Sequence, residues 1–206
     1  MSDSFQQAVP SSFESYLAQS ANALFLALDE RDNHTQQHCD RVSILACEIG
    51  TACGFSQKEL SVLAVGARFH DIGKIGIPDY VLLKPGPLTT AEWEVMKMHP
   101  AKGERLFRNT LHPYASEIAT VIRHHHERFD GSGYPDGLSG DHIPLASRIL
   151  GLADIYDAMA TTRPYHRART HREIMDFLLE EDGTRIDPDV FACFHNIIEH
   201  SPARVA

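Results

Sequence analysis

Histidines are the unusual feature of this 206-residue sequence, which contains 13 of them. Several stand, together with aspartates, at positions where the pattern of a helix is otherwise apolar. A buried imidazole or carboxylate is costly unless it is paired or bound to a metal ion, so such positions point to a shared polar site. The candidates are His38, His70, Asp71, His99, His125, His126 and Asp154.

These candidates supply imidazole and carboxylate groups and no thiolate. That donor set favours iron, manganese or zinc over calcium or a cysteine-bound structural zinc. Each residue alone has a simpler explanation: a histidine can be a satisfied core residue, Asp154 could pair with Arg148, and the three histidines at 124–126 could be a solvated helix end. All of these explanations would have to hold at once, so we expect the groups to converge.

The spacing of apolar residues predicts the helices that carry these groups. One helix is expected over 33–53, and the helix that opens at Thr89 is expected to run through His99 to Leu106, with Trp93 on its apolar face. Glycine and proline dominate 73–87 and 127–140, which are predicted to be loops. No strand is predicted, and the fold class is all-α, a single helical bundle. The other helix starts are expected at Ser11, Ser56, Pro113, Pro144, Thr170 and Pro188.

Composition and charge restrict the partners and the location. The net charge of −9 argues against a duplex nucleic acid, whose binding needs many cations. No segment is apolar enough to span a bilayer, and the first residues lack the pattern of a leader peptide. The four cysteines form no CxxC pair and are expected to be reduced thiols, so a cytoplasmic location without a membrane is predicted.

Two segments carry a resemblance to a known family. HDIGKIGIP at 70–78 resembles the HD motif of the HD-GYP phosphodiesterases, and HHERFDGSGYP at 125–135 resembles their GYP motif. The similarity extends over about 31–195. It implies an all-helical enzyme of the HD superfamily that hydrolyses cyclic di-GMP to pGpG, GMP or both.

The resemblance also implies a role for each candidate ligand. The first metal ion would be held by the set common to HD domains: His38, His70, Asp71 and Asp154. Asp71 would bridge to a second ion, completed by His99 and His125, with His126 as a further ligand. Some members have a glutamate where this chain has His34, which leaves a third ion open. Two divalent metal ions, iron or manganese, are therefore expected.

Further residues are implied to contact or orient the substrate. Lys74 and Arg163 resemble residues that hold the substrate phosphate, and Asp71 and Lys74 are the candidate catalytic residues, with Lys74 able to assist the leaving oxygen. Tyr134 could contact the substrate or only brace its loop. The carboxylates expected to orient metal ligands are Glu127, Asp130 and Asp157.

Two other functions remain open at this point. One is hydrolysis of another nucleotide, such as a cyclic GMP-AMP, and the other is a weakly active module that binds signalling proteins through the loop 127–140. The complete ligand set argues against the module. Residues 1–30 are predicted to be an extension with one amphipathic helix, and 31–206 the catalytic domain. The sequence leaves open a homodimer or a signalling partner.

Overall fold

The computed structural model describes residue 28 and the ranges 35–161 and 167–205. Within them the β-type contact is an isolated bridge between Asp182 and Ile186, so the predicted all-α fold is confirmed. The α-helices of these ranges are α1 Thr35–Ala52, α2 Gln57–Phe69, α3 Asp79–Leu82, α4 Thr90–Met96, α5 His99–Arg108, α6 Ala115–His124, α7 Leu145–Ala160, α8 His171–Glu181 and α9 Pro188–Ile198. Two short 3₁₀-helices, Ile72–Gly76 and Gly140–His142, lie between them. None of the described helices is long and apolar enough to cross a membrane.

Local capping fixes where several helices begin. Ser56, Thr89 and Thr170 each accept the backbone N–H of the glutamate three positions later, and that glutamate accepts the N–H of the capping residue in return. Asp187 caps α9, whose first residue is Pro188. These caps satisfy N–H groups that have no partner inside the helix. The helix starts predicted at these positions are confirmed. The predicted helix in residues 1–30 falls largely outside the described residues.

The core lies between α1, α2, α6 and α7. Helix α1 packs against α2 and α7, and α6 packs against α2 and α5. Leu45, Ile49, Leu63, Ile122 and Leu150 are almost completely buried there. Each such side chain contributes about 1.5–3 kcal/mol by its removal from water. This packing holds the ends of α2 and α6 against the middle of α7, which is where the polar candidates lie.

The helix expected from Thr89 to Leu106 is in fact two helices, so this prediction is wrong in its extent. Pro100 has no N–H for the carbonyl oxygen of Met96, and its ring would crowd that carbonyl. Helix α4 therefore ends at Met96, and α5 begins anew at His99. Trp93, expected on the apolar face of one long helix, is 44% exposed. The break is what places His99, itself buried, at the start of a helix.

Two glycines let backbones approach the histidines closely. A Cβ atom at Gly73 would lie 1.9 Å from the carbonyl oxygen of His99, and one at Gly151 would lie 2.8 Å from that of His125. No side chain fits at either distance, so only glycine permits these contacts. The 3₁₀-helix after Asp71 can thus pack directly on α5, and α7 can pack on the turn after α6.

Candidate metal centre

The predicted ligands come together from five segments of the chain. His38 lies in α1 and Asp154 in α7, while the others stand where α2 ends, where α5 begins and where α6 ends. The donor atoms of one group lie within 4.8 Å of one another, and so do those of a second group. The first group is His38, His70 and Asp71, and the second is His99, His125 and His126.

Asp71 stands between the two groups. Its Oδ2 is 3.5 Å from Nε2 of His70, and its Oδ1 is 3.4 Å from Nε2 of His99. Asp154 joins the first group, since its Oδ1 is 3.1 Å from Nε2 of His38 and 3.9 Å from Nε2 of His70. One carboxylate thus faces donors on both sides, which is the arrangement expected of a bridging ligand.

Three histidines are held in the tautomer that binds a metal ion. Nδ1 of His70, His99 and His125 lies 2.7, 2.9 and 2.6 Å from the carbonyl oxygen of the residue three positions earlier. A carbonyl only accepts, so each Nδ1 carries the hydrogen and each Nε2 presents a lone pair. All three Nε2 atoms are buried and have no hydrogen-bond partner among the residues that the structure describes. Buried lone pairs that converge in this way suit a metal ion.

The charges of the site also suit cations. Burial lowers the pKa of His99 to about 3 and that of His126 to about 4, so both imidazoles are neutral at pH 7. Burial alone would raise the pKa of Asp71, but Lys74 and the neighbouring histidines hold it well below its usual range. The neutral imidazoles of His99 and His126 and the ionised carboxylate of Asp71 are in the protonation states that metal binding requires. The residues present therefore fit a centre with two metal ions.

A family comparison identifies the domain. A family model described as an HD domain matches residues 20–190. The chain belongs to the HD domain family. It is 42% identical over 162 residues to the cyclic di-GMP phosphodiesterase response regulator RpfG of Xanthomonas campestris, a match that covers 79% of this chain and 43% of that protein.

Two further relatives agree with this assignment. This HD domain is 37% identical over 182 residues to a cyclic di-GMP phosphodiesterase of Thermotoga maritima, covering 88% of this chain and 50% of that protein. It resembles the crystal structure of the cyclic GMP-AMP-specific phosphodiesterase V-cGAP3 of Vibrio cholerae with a TM-score of 0.58 and 28% identity, over 93% of this chain and 43% of that one. The predicted membership of the HD-GYP phosphodiesterases is thus confirmed. The chain spans half or less of the length of these relatives.

Asp157 contacts one of the predicted ligands, His38. Its Oδ2 accepts a hydrogen bond from Nδ1 of His38 over 2.6 Å. Arg41, which the sequence analysis missed, donates to both oxygens of Asp157 over 2.6 and 3.0 Å. Arg41 lies one turn after His38 in α1. This spacing in the sequence indicates that both side chains lie on the same face of the helix. The chain of contacts fixes the imidazole so that Nε2 points to Asp154.

Replacement of Asp157 by alanine is expected to weaken metal binding by about 10–100-fold, because partners that orient a ligand typically contribute this much. The measurement is a Mn²⁺ titration of the chelator-treated protein. Asp40→Ala is the control, since Asp40 lies in α1 two residues after His38 but pairs with Arg68 at 3.7 Å on the surface. Equal affinities of Asp157→Ala and wild type would contradict the orienting role.

Lys74 and Tyr134 lie beside the ligands. Nζ of Lys74 is 2.6 Å from Oδ2 of Asp71, so a cation borders the bridging carboxylate. The ring of Tyr134 packs on His126 with centroids 4.9 Å apart, and the ring of Trp93 meets the Tyr134 ring edge-on with centroids 6.1 Å apart. Tyr134 therefore braces a ligand, whatever else it contacts. Trp93 was not predicted near the site, because its neighbours in the sequence gave it a core position. Arg163 and His34 lie outside the described residues.

Two carboxylates predicted to orient ligands do something else, and for them the prediction is wrong. Glu127 accepts the backbone N–H groups of Asp136 and Leu138 over 2.7 and 3.1 Å. Asp130 accepts the N–H of Ser132 over 2.8 Å. Both therefore brace the loop 127–140, which has few backbone hydrogen bonds of its own to close it. The carboxylates satisfy these N–H groups in place of a helix or strand.

An ion-pair clamp ties the same loop to the helices. Nε of Arg123 contacts Asp136 over 2.7 Å, and its NH1 contacts Glu104 in α5 over 2.6 Å. His124 points to Asp136 as well, over 3.0 Å, so this histidine belongs to the clamp and not to the ligand groups. Arg123 is the main cause that lowers the pKa of Asp136 to about 2. The clamp is hence an acid-sensitive element of the fold.

Replacement of Asp136 by asparagine is expected to lower the melting temperature at pH 6 and to lower it much less near pH 2, where about half of the folded Asp136 carboxyl groups are protonated. Unfolded aspartate titrates near pH ~4, whereas folded Asp136 titrates at about 2, so its stabilisation is complete above ~4 and is lost as the pH falls through about 2. Thermal melts of chelated protein between these pH values test this. Asp176→Asn, whose carboxylate is 4.0 Å from Arg172 on the surface, is the control. A difference from wild type that persists unchanged at the acid end would contradict the clamp.

Proposed function

We propose that this HD domain hydrolyses a phosphodiester bond of cyclic di-GMP, giving pGpG, GMP or both, with two divalent metal ions. The observation that carries the proposal is the position of Asp71, with one oxygen toward His70 and the other toward His99. Two donor groups that share a carboxylate suit a pair of cations that act on one phosphodiester. The two curated relatives above are named as cyclic di-GMP phosphodiesterases.

The residues would divide between the two ions as the sequence implies. When bound, the ions would supply Lewis-acid polarisation of the phosphodiester and a more acidic water as nucleophile. Imidazole with carboxylate suits iron or manganese. Asp71 would serve both ions; the first would also take His38, His70 and Asp154, and the second His99 and His125, with His126 as a further ligand.

Of the remaining site residues, Lys74 and Arg163 would contact the substrate, and Tyr134 would support a ligand. The ammonium group of Lys74, which borders Asp71, offers a positive charge to a phosphate oxygen and a proton to the leaving oxygen. We propose that Arg163 adds a planar donor for the same phosphate. The packing of Tyr134 on His126 holds that imidazole in place while the substrate is bound. Together these residues would bind the phosphodiester and position it beside the donor groups.

A cyclic GMP-AMP is the second candidate substrate. The structural relative V-cGAP3 is named as specific for it, at 28% identity. Both molecules carry the same two phosphodiester bonds, so the donor groups described above serve either. The choice depends on the groups that contact the second base.

Incubation with manganese or ferrous iron tests the function. We expect purified protein to convert cyclic di-GMP to pGpG or GMP, which chromatography separates from the substrate. Cyclic GMP-AMP and a simple diester, bis(p-nitrophenyl) phosphate, are run in parallel. Faster turnover of cyclic GMP-AMP would favour the second substrate. No cleavage of any cyclic dinucleotide at high protein concentration would overturn the proposal and favour a module that binds signalling proteins.

The organisation of the chain is also a proposal. We propose a cytoplasmic domain over 31–206 behind an extension over 1–30. The four cysteines are all free, as in proteins of reducing compartments. A homodimer or a signalling protein is the partner that size-exclusion chromatography with light scattering would detect.

A further inference from the structure

A cavity of about 390 Å³ adjoins the metal centre on the side of α7 and α8. It shares His125 and His126 with the second donor group, and its walls reach Phe177 and Glu181 of α8 and Arg185 beyond it. Cavities of this size suit a small molecule or one half of a larger ligand. A substrate phosphate at the donor groups would therefore have neighbouring space for the nucleotide attached to it.

The walls of this cavity suit a flat base and an anion. The guanidinium group of Arg169 lies over the ring of Phe177, with its carbon 5.7 Å from the ring centroid, so a cation covers one face of this aromatic ring. Ile155 and Met159 of α7 add apolar surface. Bases stack on aromatic side chains, and arginine binds phosphate. This combination complements one nucleotide, which presents a flat ring joined to a negative charge.

A carboxylate and a guanidinium group stand together in the wall. NH1 of Arg185 is 3.0 Å from Oε1 of Glu181, and the Glu181 side chain is only 18% exposed. The carbonyl oxygen of Arg185 accepts the N–H of Phe129 over 3.0 Å, which ties this turn to the loop 127–140. The pair is therefore held in place from the same loop that carries Tyr134. It offers an acceptor and several donors at one point of the cavity.

Guanine is the base that this pair complements. Its N1–H and N2–H₂ groups donate to a carboxylate, and its O6 and N7 accept from arginine. Adenine presents an acceptor at N1 and a donor at N6, so it would place its N1 lone pair against the carboxylate. We propose that the cavity holds the nucleotide beyond the scissile phosphate and that Glu181 with Arg185 selects guanine there. This inference rests on the proposed function, because it requires a cyclic dinucleotide as substrate.

Binding of two hydrolysis-resistant analogues tests the selection. Phosphorothioate forms of cyclic di-GMP and cyclic di-AMP are titrated by calorimetry into the metal-loaded protein. We expect the guanine analogue to bind about tenfold more tightly or better, as hydrogen bonds to a charged group commonly give. Glu181→Gln should remove most of that preference, since an amide offers N–H groups as well as an oxygen. Asp176→Asn is the matched control: it removes a carboxylate paired with an arginine four positions away on the same helix, but at the surface.

Each outcome separates the inference from the function on which it rests. A guanine preference that Glu181→Gln abolishes and Asp176→Asn retains supports the inference. Equal binding of both analogues to wild type, or a preference that survives Glu181→Gln, overturns the inference while turnover of cyclic di-GMP still stands. Failure to bind either analogue or to cleave any cyclic dinucleotide, with bis(p-nitrophenyl) phosphate still hydrolysed, overturns the proposed function and the inference with it. Melting temperatures of the variants confirm that each is folded.

Discussion

Replacement of Asp71 by alanine is expected to abolish both metal retention and phosphodiesterase activity. Asp71 faces donors of both groups through separate oxygens. Its loss would remove a carboxylate ligand and leave the ammonium group of Lys74 without the negative charge that offsets its repulsion of cations. Each factor of ten in rate corresponds to about 1.4 kcal/mol, and a metal centre contributes several times that, so we expect a fall of about a thousandfold or more.

Metal content and turnover must be measured on the same preparation. Elemental analysis of protein purified without air gives the number and identity of the ions, and product formation from cyclic di-GMP gives the rate. Asp141→Ala is the control, because the Asp141 side chain is 95% exposed and pairs with Arg148, which belongs to neither donor group. Retained turnover in Asp71→Ala would show that the reaction occurs at another site. Retained metal with lost turnover would assign Asp71 to the substrate alone.

Replacement of Gly73 by alanine is expected to destabilise the fold more than other single changes near the site. The new Cβ would lie 1.9 Å from the carbonyl oxygen of His99 and 2.5 Å from the backbone nitrogen of Gly103. Backbone atoms cannot rotate away as a side chain can, so α5 or the 3₁₀-helix must shift. We expect a loss of about 3 kcal/mol or more in the free energy of unfolding, measured by urea denaturation of chelated protein.

The same 3₁₀-helix supplies the control for this change. A Cβ atom at Gly76 would meet Cδ of Lys102 at 3.0 Å, the far part of a flexible side chain, and the backbone there is not left-handed. Gly76→Ala is therefore expected to change stability by less than about 1 kcal/mol. Gly73→Ala should also weaken metal binding, because a shift of α5 moves His99. Equal stabilities of the two variants would refute the close approach.

Local signals in the sequence gave the helix starts and the ligands. Capping at Ser56, Thr89 and Thr170 acts over three residues, so it can be recognised without knowledge of the fold. The break before His99 shows the limit of periodicity. Apolar spacing continued past Met96, but the missing N–H of Pro100 outweighed it. Pro100 directly after His99 therefore indicates a helix boundary more strongly than the spacing of Trp93 indicates a continuous helix.

The roles of the carboxylates show where sequence reasoning stops. Glu127, Asp130 and Asp157 had the same standing in the sequence, yet only Asp157 contacts a ligand in the structure. Which hydrogen bonds a carboxylate makes depends on the backbone N–H groups that the loop leaves free. Which N–H groups are free is known only when the conformation of the loop 127–140 is known. Arg41 and Asp157 stand 116 positions apart in the chain, so their contact also depends on tertiary packing.

The sequence by itself determined that this chain is helical, that it carries an HD-type set of donors, and where most helices begin, because these depend on residue type and on short spacings. Tertiary structure decided the rest. His38 and Asp157 meet across 119 positions of the chain, and no local rule gives the direction of either side chain. The two faces of Asp71, the bracing of His126 by Tyr134 and the cavity beside them arise from the packing of helices, which fixes distances that spacing along a chain leaves free.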